Sequence, residues 1–275
     1  MSVSEMRRQI DEAVAFIKSQ TKARPSVGVI LGTGMGKLAH AVKKATVIAY
    51  DRIPHFPVST VESHHGNLFL GELEGKTVFM MQGRFHYYEG YTLKQVTFPV
   101  RVMRALGCRT LIVMNAVGSM NPMIPAGSLV LPCDFINLMG DNPLIGPNDD
   151  TLGPRFPDMS EPFSRELIAL AEQVALENKI KVQQGVMIAV TGPNLETAAE
   201  YRFFRRVGAD IVTMSTVPET IVAVHAGMRV LGISTVTDGC LPDALKPADI
   251  NEIIHTAMAA EPRLNKLVRG VLKKM

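Results

Sequence analysis

The sequence is short of the features that mark secreted, membrane and nucleic-acid-binding chains. It has three cysteines in 275 residues, Cys108, Cys133 and Cys240, far apart and with no CxxC pair. An odd, scattered set builds no disulfide framework, so a reduced, cytoplasmic setting is the simplest expectation. No stretch approaches the roughly 18 apolar residues of a membrane-spanning helix. The N-terminus carries Glu5, Arg7, Arg8, Asp11 and Glu12 where a signal peptide needs an apolar core. Met6, Ile10, Val14 and Ile17 fall at helical spacing there and predict an amphipathic helix. Lysine and arginine total 29 against 26 acidic residues, a formal charge of +3, too small an excess for a nucleic-acid surface. There is no GxSxG elbow, no P-loop lysine motif and no HExxH, and no cysteine has an evident histidine partner. Covalent hydrolase, nucleotide kinase and zinc-protease chemistry therefore lack their diagnostic residues.

What is present is an α/β pattern. Hydrophobic residues make up 47% and charged residues 20%, enough apolar material for a substantial core. Short apolar runs at Val27–Leu31, Thr77–Met81, Thr110–Asn115, Ser128–Pro132, Gly185–Val190 and Val230–Val236 read as strands. Several are valine- and isoleucine-rich without polar alternation, as in strands buried on both faces. Helical patterns cover Leu93–Leu106, Ser164–Asn178, Thr197–Val207, Pro218–Ala226 and Asp249–Leu272. The alternation predicts a central mixed, mostly parallel sheet flanked by helices. Gly140–Pro162 lacks periodicity and is rich in glycine, proline, asparagine and aspartate. Apolar patterning resumes after it, so it reads as a long functional loop inside one domain spanning 1–275.

Polar motifs sit after the strands. Gly32-Thr33-Gly34-Met35-Gly36 follows the first strand and opens a helix from about Lys37. Such a turn can aim backbone N–H groups at an anion. It is equally compatible with a tight turn that binds nothing, and Asp51 lies where a dinucleotide fold would place its ribose-binding acid, although the spacing is GxGxG and not GxGxxG. Ser63-His64-His65-Gly66 offers adjacent histidines for an anion, a metal or merely solvent. Gln82–Tyr91 brings Arg84, His86 and three tyrosines to the end of a strand. Arg84 supplies a bidentate fork for phosphate or carboxylate and, as a loop residue, is expected to matter little to the core. Gly192–Thr197, Met214–Glu219 and Thr235–Gly239 each place polar groups at a strand end, where turns and helix caps also occur.

Together these motifs resemble the trimeric branch of the purine nucleoside phosphorylases. The similarity runs in order through the GxGxG turn, Ser59–Gly66, Gln82–Tyr91, Asn115–Ser119, Asn142–Ser160, Gly192–Thr197 and Met214–Glu219, nearly the whole chain. The resemblance implies the nucleoside phosphorylase fold and a pentosyltransferase that splits nucleosides such as inosine and guanosine with inorganic phosphate. Phosphate would be a substrate, and no metal or organic cofactor is implied. Thr33, His64, Arg84, His86, Ala116 and Ser215 correspond to the phosphate site, Thr33 standing for a more usual serine. Tyr88, Ala116 and Met214 correspond to nucleoside contacts, and Glu196 and Asp238 to the base-binding pair. The resemblance makes His86, Glu196 and Asp238 the catalytic set. Phe156 matches an aromatic lent to a neighbouring subunit's pocket, which implies a homotrimer.

Two positions depart from that pattern. Asp238 stands where enzymes preferring 6-oxopurines usually have asparagine, and an ionised aspartate can only accept hydrogen bonds. Ile250 takes the place of a histidine that contacts the 5′-hydroxyl. Both changes lean toward the sister family, the 5′-methylthioadenosine phosphorylases, so adenosine or 5′-methylthioadenosine is the alternative substrate. Glu196 leans the other way, because the sister family usually has a small hydroxyl residue there.

Overall fold

The computed structural model describes residues 3–60 and 66–275. The N-terminal amphipathic pattern forms α1 (Val3–Gln20). Buried β1 (Val27–Ile30) follows, lying between β4 (Lys76–Gln82) and β5 (Thr110–Ser119) and parallel to both. On the far side of β4, β3 (Asn67–Leu73) and β2 (Lys43–Ala49) continue the sheet antiparallel. Neither β2 nor β3 was expected from the pattern. β2 is an edge strand in which Ile48 alone is buried, and Lys43, Lys44 and Thr46 break up its apolar residues. β3 is interrupted by Gly71, where a Cβ would stand 2.5 Å from the Lys43 carbonyl oxygen of the bulged β2.

The other half of the sheet comes back on itself. β5 pairs with β9 (Arg229–Gly239), β9 with β6 (Leu129–Asn137), β6 with β7 (Val182–Ala189), β7 with β8 (Ile211–Thr213), and β8 with β5 again. These five strands form a closed ring attached to an open extension. The sheet is mixed and parallel by a narrow margin: β1–β4, β1–β5, β5–β9, β6–β7 and β7–β8 are parallel, and β2–β3, β3–β4, β5–β8 and β6–β9 are antiparallel.

Helices cover the sheet. The single helix expected over Leu93–Leu106 is two, α2 (Leu93–Val96) and α3 (Phe98–Ala105), because Pro99 in the first turn of α3 has no N–H to continue the ladder. α4 (Arg165–Glu177), α5 (Ala198–Arg206) and α6 (Val217–His225) lie within a residue or two of their expected bounds. α7 (Ile250–Lys274) packs against β9 and α4. The Gly140–Pro162 segment contains no helix or strand.

The helix expected from Lys37 is only a 3-10 turn, Gly36–Ala41. Its leading N–H groups are not left for a ligand: the Lys37 N–H donates to buried Glu261 of α7 at 2.8 Å. The glycines before it are packing requirements. Gly34 has φ +75°, and a Cβ on Gly32 would stand 2.9 Å from both Asn115 Cα and the Met114 carbonyl oxygen. Those are backbone atoms of β5 and have little room to retreat. Gly32→Ala is therefore expected to cost about 1–3 kcal/mol of stability by overpacking, read as a lower urea midpoint at unchanged slope; an unshifted midpoint would show that β1 and β5 can separate here.

Candidate active site

The C-terminal ends of β1, β4, β5, β7, β8 and β9 surround one cavity of about 370 Å³. This is the usual place for a site in an α/β sheet. Thr33, Arg84, His86, Tyr88, Ala116, Glu196, Met214, Ser215, Asp238 and Ile250 all line it. Asp51 is exposed in a separate 3-10 turn and is not among the lining residues, so the glycine turn and that acid form no dinucleotide site. Phe156 is 87% exposed on another face, with the Arg155 guanidinium 5.7 Å from its ring centre. His64 lies outside the described residues.

One end of the cavity is organised around Arg84, which is buried. The expectation that it contributes little to the core is wrong. Gly83, at φ +102°, turns the chain inward after β4. The Arg84 guanidinium donates to Ser215 Oγ at 2.8 Å, Thr216 Oγ1 at 3.0 Å and the Met114 carbonyl oxygen. The buried carboxylate of Glu219, in the first turn of α6, lies 3.6 Å away. Burial lowers the proton affinity of the guanidinium and Glu219 opposes that. Thr216 is held at φ +66°, a conformation that costs a non-glycine residue about 1–3 kcal/mol. Its hydroxyl makes no helix cap and serves Arg84 instead. Behind Ser215, hydroxyls and an amide form a buried chain: Ser215 Oγ lies 3.2 Å from Thr213 Oγ1, Asn115 Nδ2 donates to Thr213 Oγ1 at 2.9 Å, and Ser234 Oγ donates to Asn115 Oδ1 at 2.7 Å.

His86 has its own support. Its ring stacks on Tyr88 with centroids 4.6 Å apart, and its Nδ1 lies 3.0 Å from Glu89 Oε1. The other Glu89 oxygen accepts from the backbone and hydroxyl of Thr60 at 2.8 and 2.7 Å. Burial pushes the Glu89 carboxyl up, but the bonds from His86 and Thr60 outweigh it and hold it at about 2. Burial takes the Tyr88 hydroxyl up to about 12, so it is a neutral donor.

The opposite end carries two carboxyl groups. Glu196, in the loop after β7, is raised by burial, and the nearby Tyr201 hydroxyl opposes that. Asp238, near the end of β9, accepts from Thr237 Oγ1 at 2.8 Å and from Cys240 Sγ at 3.0 Å. Met214 lies between the ends and fits because Gly192 has no Cβ, which would stand 2.2 Å from its sulfur. Ile250 and Ile253 of α7 give the mouth an apolar side. Glu89, Glu219, Tyr201, Cys240 and Ile253 were not singled out from sequence. The i,i+3 spacing of His86 and Glu89, followed by Gly90, is the one local signal that pointed to any of them. Among the described residues no group of histidine, cysteine, aspartate and glutamate could hold a metal ion, and no helix is long and apolar enough to cross a membrane.

Residues 26–273 match the model of the phosphorylase superfamily. Purine nucleoside phosphorylase 1 of Bacillus subtilis is 50% identical over 267 residues, covering 97% of this chain and 98% of its own. The mouse purine nucleoside phosphorylase is 45% identical over 267 residues, covering 94% and 92%. Isoform 2 of the Schistosoma mansoni enzyme, solved with cytosine and ribose-1-phosphate, superposes with a TM-score of 0.94 at 36% identity, covering 98% of this chain and 96% of that one. A S. mansoni purine nucleoside phosphorylase solved with inosine superposes at 0.93 and 38% identity, again over 98% and 96%. A fold, a cavity and a sequence that agree over almost the whole chain place it in one family: it belongs to the phosphorylase superfamily and, within it, to the purine nucleoside phosphorylases.

Proposed function

We propose that this chain, acting as one domain, catalyses the reversible phosphorolysis of purine nucleosides such as inosine and guanosine to the free base and α-ribose 1-phosphate. The observation that carries this reading is a single cavity lined by an arginine–hydroxyl group, two carboxyl groups, and Tyr88 and Met214. Phosphate is held by Arg84, Ser215, Thr33, His86 and the Ala116 backbone; His64 joins this set by resemblance alone. One phosphate oxygen forms a bond to the anomeric carbon as the bond from that carbon to purine N9 breaks. The bonding pair moves onto the base, which is relieved by protonation at N7. The sugar passes through an oxocarbenium-like state that the phosphate charge stabilises, so fixing the anion in line supplies much of the rate. Glu196 accepts from N1–H of a 6-oxopurine and Asp238 from N7–H of the departing base. This chemistry needs phosphate as co-substrate and no organic cofactor.

The assembly in this reading is a homotrimer in the cytoplasm. The 87% exposure of Phe156 outside its own cavity fits a ring that completes a neighbour's site. A second reading, phosphorolysis of adenosine or 5′-methylthioadenosine, is favoured by Asp238 as an acceptor and by the isoleucines at the mouth. A Schistosoma mansoni purine nucleoside phosphorylase has been solved with adenosine, and a schistosoma purine nucleoside phosphorylase with hypoxanthine.

Base release from inosine and guanosine is expected only when phosphate is present, followed by chromatography of the products. Equal release in phosphate-free buffer would overturn phosphorolysis. Arg84→Ala would leave Glu219 buried and alone, at a cost of about 3–5 kcal/mol, so Arg84→Lys is the better probe. It keeps the charge and loses the fork, and is expected to raise the KM for phosphate by about tenfold or more with a smaller change for the nucleoside. A phosphate KM that stays put would remove Arg84 from the anion site. Asp238→Asn turns one acceptor into a donor and is expected to move the ratio of kcat/KM for inosine over adenosine upward by about tenfold or more; a constant ratio would show that the base does not meet this side chain.

A further inference from the structure

Cys240 has no task in the reaction described above. It lies two residues beyond Asp238, is 1% exposed and donates through Sγ to Asp238 Oδ2 at 3.0 Å. The other oxygen, Oδ1, is occupied by the Thr237 hydroxyl. Room for the thiol comes from Gly118 of β5, where a Cβ would stand 2.5 Å from the sulfur and 3.3 Å from Asp238 Oδ2. Tyr201 belongs to the same buried cluster as Cys240, and burial together with the neighbouring Cys240 and Glu196 pushes its hydroxyl up. The thiol donates its one proton to Asp238, and the single proton of the Tyr201 hydroxyl is left for either Glu196 or the sulfur.

The direction of those bonds matters. A carboxyl group that receives a donor on each oxygen from the protein is held in one orientation, and its remaining lone pairs face the cavity as acceptors. At the six-position edge of a purine, an acceptor meets the N–H of an amino group favourably and the lone pairs of an oxo group unfavourably. A buried cysteine that served only packing would show no such preference, and the loss of its volume would weaken both kinds of base alike.

Taking the cavity as a purine nucleoside site, as above, we propose that Cys240 is a specificity-determining positioning residue, whose thiol fixes Asp238 as an acceptor that admits 6-aminopurines beside 6-oxopurines. The place of Cys240 in the chain does not depend on its side chain, because its backbone N–H donates to the Ser119 carbonyl at 2.7 Å. Substitution of the thiol is therefore readable as a change in the base end.

The test is calorimetric binding of free adenine and hypoxanthine to the full chain in phosphate buffer, for the wild type, Cys240→Ala and Cys240→Ser. Loss of a hydrogen bond to a charged group predicts that Cys240→Ala weakens adenine by about tenfold and hypoxanthine by less than about threefold. Cys240→Ser, which keeps a donor, is expected to hold adenine within about threefold of wild type. Parallel losses of both bases in Cys240→Ala, or a serine variant that behaves like alanine, would reduce Cys240 to packing and overturn the proposal. Wild type that binds hypoxanthine but not adenine would overturn it while sparing the parent reading. Wild type that binds neither base would sink the parent reading and this one together.

Discussion

A buried guanidinium is the constraint around which the rest of this fold is arranged. Arg84 cannot enter the interior alone, because an uncompensated charge there would cost several kcal/mol. Its partners come from two separate stretches of chain: Ser215, Thr216 and Glu219 at the start of α6, and a carbonyl on β5. Satisfying it fixes the approach of α6 to β5 and forces Thr216 into a backbone conformation it would otherwise avoid. The hydroxyl chain through Thr213, Asn115 and Ser234 then extends the same demand across β8, β5 and β9.

Those three strands belong to the closed ring, and closure explains why the cavity's walls can be polar. In an open sheet, a strand end loaded with asparagine, serine and threonine would expose unpaired backbone. Here β5 and β9 pair through Ser119 and Gly239, to the last residue of each, so their polar ends stay registered against one another. The base end depends on this directly, since Asp238 pairs with Gly118, the residue whose missing side chain makes room for Cys240.

Legibility in the sequence followed burial and locality. Strands β1, β5 and β9 and helices α4 to α7 were visible because their apolar runs or periods reflect burial. β2 was not, because an edge strand with one buried side chain, Ile48, carries little pattern. Residues grouped by short motifs at strand ends were identified and do meet in one cavity. What the pattern hid was the support behind them. Glu219 is a single residue whose partner, Arg84, lies far away in the chain, and Cys240 looked like an isolated thiol. The role of Arg84 in the core was misjudged for the same reason: position after a strand says loop, and only the tertiary partner says interior. The GxGxG turn shows the converse, since two of its glycines answer to packing against β5 and α7.

Two donors of the anion end share one property: each already faces a carboxylate of the protein, Arg84 facing Glu219 and His86 facing Glu89. The protein thus carries its own counter-ions there. Such a site draws little long-range field from its surroundings, so an incoming anion is recognised by how well its oxygens fit pre-aimed hydrogens, and hardly by the pull of a net positive charge. Recognition of that kind is local, and it varies weakly with ionic strength, because close, buried contacts are screened far less than charges acting across solvent.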